Sequence, residues 1–209
     1  DAGSLTENIP IAALTGRRVV AVRYRLSPEH RFPAAVDDAV AVYRALLAKR
    51  WGRRIALYGT SAGAILSAEM VARIRAEKLP APAALGFFSG SADLTRFGDS
   101  VTLFLDPAAA RSMTGLYTGD HALDGADISP ALGDLKGWPA TLCISSTRDF
   151  LLSAAADFCR RLDAAGGDAR LIVYDGLPHA FWSYVEAPES DAAFAAMAHF
   201  LLRHLDRKP

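Results

Sequence analysis

Two periodicities run along this chain. Short apolar or β-branched runs fall at residues 18–24 (RVVAVRY), 54–58 (RIALY), 84–88 (ALGFF), 141–145 (TLCIS) and 170–174 (RLIVY), and each has the length and composition of a buried strand. Between them apolar side chains recur at helical spacing. Val36, Val40, Tyr43 and Leu47 form one stripe after Pro33, a residue suited to a first helical turn, and Gly52 follows its end. Leu152, Ala155, Cys159 and Leu162 form another, stopped by Gly166-Gly167. A last stripe, Phe194, Met197, Leu201 and Leu205, is expected to start at a Ser190 cap, with His204 and Arg207 complementing the dipole at its end. A helix from Ala62 to about Glu77 is small and apolar on most sides at its start, so it is expected to be buried; Pro80 and Pro82 bound it.

This alternation predicts a mainly parallel sheet covered by helices on both faces, in one α/β domain spanning residues 1–209. In such sheets chemistry sits beyond the carboxyl ends of the strands. Residues 91–138 break the rhythm with turn formers, aspartates and one helix-like piece at 108–117, a stretch long enough to cover a site.

Composition narrows the class. With 51% hydrophobic and 22% charged residues the chain is not disordered, and a formal charge of zero supplies no global field for nucleic acid or an anionic membrane. Arg17-Arg18, Arg53-Arg54 and Arg160-Arg161 read as solvated edges. No apolar run reaches the length of a membrane span, and with no signal-peptide pattern the expected compartment is the cytoplasm. Cys143 and Cys159 both fall on apolar faces and read as small buried hydrophobes, not a disulfide framework or a zinc site.

The stretch that carries chemistry is Gly59-Thr60-Ser61-Ala62-Gly63. A serine between glycines, with a strand before it and a helix after it, turns the chain sharply and projects its hydroxyl at the sheet edge. That hydroxyl is a weak nucleophile until a base takes its proton. Of the five histidines, only His179 directly follows the last predicted strand, in Asp175-Gly176-Leu177-Pro178-His179. Its other nitrogen needs an acceptor to fix the tautomer. Asp149, after the 141–145 strand, occupies the equivalent strand end, and Asp175 is its rival. Phe150, Leu151, Phe181 and Trp182 flank the acid and the base; they would line a substrate pocket or belong to the core.

The run Tyr24-Arg25-Leu26-Ser27-Pro28-Glu29-His30-Arg31-Phe32-Pro33-Ala34-Ala35 resembles the YRLAPEHPFPAA stretch of bacterial hormone-sensitive-lipase-like esterases. The serine turn resembles their GDSAG, with Thr60 in place of Asp; Asp149-Phe150-Leu151 resembles their D-x-L, His179-Ala180-Phe181 their H-G/A-F, and Ser129-Pro130 their S-P. The resemblance implies a three-layer α/β-hydrolase fold and hydrolysis of short to medium acyl esters, small-molecule substrates, without metal or cofactor. Ser61, Asp149 and His179 follow the family's chain order of nucleophile, acid and base, and Ala62 N–H takes one oxyanion-hole position. Arg25 and Glu29 are expected to brace the loop behind the site. Some plant relatives resemble hormone receptors, so a non-catalytic binding protein is the alternative.

One departure stands out. The family's HGGG oxyanion loop, the strands before it and the N-terminal cap have no counterpart, so the chain reads as an N-terminally truncated member of the fold. In the family's sheet order the strand leading into HGGG lies between those matching 18–24 and 54–58. Its neighbours are then expected to pair directly or to recruit another chain, hence a homo-oligomer, with Gly3 a candidate substitute donor and activity weak or absent.

Overall fold

The computed structural model describes residues 2–51 and 55–206. Gly52, Arg53, Arg54 and Arg207 lie outside them. A four-stranded sheet forms the centre, ordered β1 (Leu57–Thr60), β2 (Leu85–Phe88), β3 (Thr141–Arg148) and β4 (Ala169–Pro178), all parallel. Around it lie α1 (Ala2–Thr15), α2 (Ala34–Leu46), α3 (Ala62–Ala76), α4 (Asp99–Phe104), α5 (Pro107–Thr118), α6 (Leu152–Ala164) and α7 (Pro188–Leu205).

The side-chain alternation of the strands builds the layers. Leu85, Phe87 and Cys143 point to one face and pack with Ala64, Ala68, Phe158 and Leu162 of α3 and α6. Phe88, Leu142 and Ile144 point to the other and pack with Phe194, Met197 and Leu201 of α7 and Ile11 of α1. Each large side chain removed from water in this way contributes about 1.5–3 kcal/mol. A third cluster joins α2 to α3 through Val36, Val40, Tyr43, Met70 and Ile74. Cys143 and Cys159 both belong to the core.

Several elements differ from the sequence expectation. Residues 18–24 take no strand pairing. Val22 and Tyr24 pack with the α2–α3 cluster and Val19 with the α7 cluster, but a cavity of about 820 Å³ lies between this segment and β1. The two neighbours do not pair directly: a β-branched run becomes a strand only where a neighbour offers it N–H and C=O groups. Helix α7 starts at Pro188, so Ser190 lies in its first turn and donates from Oγ to the Val185 carbonyl at 2.7 Å instead of capping. Arg25 pairs with Asp38, at 2.8 Å, rather than with Glu29. Helix α1 was not expected; Pro10 interrupts its pattern and Leu5, Ile9 and Leu14 are exposed, so only one side carries a core residue. Among the described residues no helix is long and apolar enough to cross a membrane.

Candidate active site

Three chain segments reach the same sheet edge. Ser61 ends the β1 turn, Asp149 follows β3 and His179 follows β4, each at a carboxyl end. Ser61 sits at φ 56°, ψ −121°, a sparsely populated region costing on the order of 1–3 kcal/mol. The surroundings hold it there: its N–H donates to the Phe88 carbonyl at 2.9 Å, and its own carbonyl accepts from Ala64 and Ile65. Gly59 is required by the same turn, since a Cβ there would lie 2.1 Å from the Gly63 carbonyl oxygen.

His179 Nε2 lies 2.9 Å from Ser61 Oγ, and Nδ1 lies 2.7 Å from Asp149 Oδ1. The Phe150 ring stacks on the imidazole at 4.1 Å between centroids, fixing its plane. Ser146 Oγ donates to the Leu177 carbonyl at 2.6 Å, tying the end of β3 to the turn that presents His179. The Tyr184 hydroxyl donates to the His179 carbonyl from the other side.

Asp149 is fully buried. Its Oδ2 accepts from Ser145 Oγ at 2.7 Å, and Oδ1 also accepts the Leu151 N–H at 2.9 Å. Burial pushes its carboxyl up, but the His179 hydrogen bond and charge, with the Ser89 hydroxyl and Leu151 N–H, outweigh burial and hold it below the ordinary carboxylate range. It is therefore an anion at neutral pH, placed to steady a proton on His179 Nε2. Asp175, the rival, is engaged elsewhere: Thr147 Oγ1 donates to its Oδ1 at 2.9 Å.

Two cavities meet at Ser61. One, of about 300 Å³, is lined by Ser61, Ala62, Phe97, Ala110, Phe150 and Leu151, among others. The other is the 820 Å³ space beside β1, which Ser61, Ala62 and Gly63 also border. Ala62 opens α3, where backbone N–H groups lack intrahelical acceptors and favour negative charge. Gly3 lies in the first helix, which packs on α7 and on Phe181–Ser183. Phe150 and Leu151 line the smaller cavity, whereas Phe181 and Trp182 do not: they are buried against Phe88 and Tyr174 in the α7 layer, because the turn after His179 folds back under the sheet edge. Leu94, Phe97, Val101 and Ala110 of the cavity wall come from the irregular 91–138 stretch, and nothing in their spacing marked them. Among the described residues no group of acidic, histidine and cysteine side chains could hold a metal ion.

Known proteins resemble this chain in sequence and in fold. Residues 8–183 match the alpha/beta hydrolase fold family. An acetyl-hydrolase of Streptomyces hygroscopicus is 36% identical over 198 residues, which is 89% of this chain and 65% of that protein. The chain thus spans about two thirds of that relative's length. A hormone-sensitive lipase from a metagenome library superposes with a TM-score of 0.90 at 30% identity, covering 97% of this chain and 71% of its own. An esterase from the bacterial hormone-sensitive lipase family does so at 0.87 and 34% identity, covering 94% and 69%. The chain belongs to the α/β-hydrolase fold family, in the company of its bacterial hormone-sensitive-lipase-like esterases.

Proposed function

We propose that this protein hydrolyses carboxylic esters through an acyl-enzyme on Ser61. The observation that carries the reading is the relay of two hydrogen bonds, Ser61 Oγ to His179 Nε2 at 2.9 Å and His179 Nδ1 to Asp149 at 2.7 Å. As Ser61 Oγ attacks the acyl carbonyl, His179 Nε2 takes its proton, and buried Asp149 stabilises the resulting imidazolium. The carbonyl electrons move to the oxygen, which faces the Ala62 N–H at the start of α3. The tetrahedral adduct collapses, the alkoxide leaves with the His179 proton, and water repeats the sequence to release the acid.

The 300 Å³ cavity, walled by Phe97, Ala110 and Leu151, is apolar and of the size that suits a short to medium acyl chain. The Ala62 N–H carries weight in this step, since loss of one such donor in a serine protease costs about 10²–10³ in turnover. Hydrolysis of p-nitrophenyl acetate through octanoate by wild type and Ser61→Ala tests the reading. Turnover that disappears in the variant supports it, while folded wild type that equals the variant with every ester overturns it.

A further inference from the structure

The small cavity beside Ser61 has one wall with an unusual support. Tyr117 lines it; its ring packs edge-on against Phe32 at 6.0 Å, and its backbone carbonyl accepts the Phe32 N–H at 2.8 Å. Its hydroxyl donates to Glu69 Oε2 at 2.6 Å. Glu69 lies on the nucleophile helix α3, with no exposed surface. Its Oε1 has no hydrogen-bond partner.

The groups around this carboxyl do not suit an anion. From the loop after α5 the acting charge is that of Asp127, also negative, with His121 Nε2 3.2 Å from it. On α3 itself Arg73 is turned to Asp37 of α2, at 2.9 Å. Tyr24 faces Tyr117 from the segment before the loop. A carboxylate with one bare oxygen beside a like charge is costly in such a place, and a neutral acid is not. Burial, helped by Asp127, pushes the Glu69 carboxyl well above its usual range against the opposing pull of the Tyr117 hydroxyl.

We infer that Glu69 is a positioning residue: its bond to the Tyr117 hydroxyl, made where no water reaches, holds that ring and with it α5 as a wall of the substrate cavity.

The kinetic half of the test rests on Ser61 being the nucleophile; the spectroscopic half does not. Labelling rates with methyl and octyl fluorophosphonates are compared for wild type, Glu69→Gln, Glu69→Leu and Tyr117→Phe. The octyl-over-methyl preference should fall about fivefold in the Leu and Phe variants, the worth of one hydrogen bond. Glu69→Gln, whose amide oxygen still accepts from the Tyr117 hydroxyl, should keep it. Unchanged preference in both Glu69→Leu and Tyr117→Phe, or the same loss in Glu69→Gln, overturns the inference. Independently, the ¹⁹F signal from fluorotyrosine at Tyr117 should move in Glu69→Leu and stay near its wild-type position in Glu69→Gln. A Tyr117 signal that Glu69→Leu leaves in place overturns the inference even if no probe labels Ser61. Absence of labelling with the expected NMR result counts against the ester-hydrolase reading alone.

Discussion

The two sides of the sheet are finished to different degrees, and the chemistry divides along the same line. At β3 and β4 the register runs from Thr141 opposite Ala169 to Arg148 opposite Pro178, and the buried Asp149 has a donor for each oxygen. At β1 the strand is short and, among the described residues, pairs with β2 alone. The Leu57 and Ser61 amides donate toward β2, to Ala84 and Phe88, so by strand alternation those of Tyr58 and Thr60 point to the 820 Å³ space. Thr60 Oγ1 is buried there without a partner. Asp149 and His179 thus stand on a closed ladder, while Ser61 and the Ala62 N–H border an open one. The hydrogen bonds of Asp149 and His179 are set on the β3–β4 side, independently of what covers the far edge of β1.

The sharpest way to break the contrast is at its finished side. Asp149→Asn should lower kcat about 10⁴-fold with the fold intact, because the amide presents a donor where His179 Nδ1–H needs an acceptor. The same loss is expected for every ester tried. A variant within tenfold of wild type would mean that the β3–β4 side does not limit turnover.

Native-state hydrogen exchange reads the open side directly. The Tyr58 and Thr60 amides should exchange at least about 10²-fold faster than those of residues 142–145, although both sets lie in the central sheet. Equal protection would mean that the space beside β1 is filled in solution. Gly59→Ala probes the turn between the two sides. A Cβ lying 2.1 Å from a backbone oxygen must displace the elbow, and the expected cost is about 1–3 kcal/mol in a denaturant titration, with Ser61 labelling slowed as well.

The same division explains what could be read from the amino-acid order. The turn carrying Ser61 was legible because it is local: strand, small residues and helix adjoin in sequence. His179 and Asp149 were legible as strand-end residues, and the rivalry with Asp175 ended only through Thr147, a partner 28 positions away. Residues 18–24 have the composition of a strand, yet strand formation depends on a neighbour that local pattern cannot report. The wall of the small cavity was not legible either, since Leu94, Val101 and Ala110 meet Ser61 only across the fold. Glu69, between Ala68 and Met70 on a helix expected to be buried, was a usable signal: a carboxyl with nowhere to be solvated.

The smallest effect tests how completely the finished side depends on each donor. Ser145→Ala removes the hydroxyl that donates to Asp149 Oδ2, while the His179 bond to Oδ1 and the Ser89 hydroxyl are kept. The net worth of one such bond is about 0.5–1.5 kcal/mol, so activity should fall only about fivefold. The clearer readout is acid stability. Asp149 in the folded protein lies below its ordinary value, so its contribution is present above that value and is lost as pH falls through the depressed one. Without the Ser145 hydroxyl the depression shrinks, and the acid limb of unfolding should move to higher pH. If the limb stays where it is, His179 and the remaining donors hold the carboxylate by themselves, and the closed ladder has more support than the site needs.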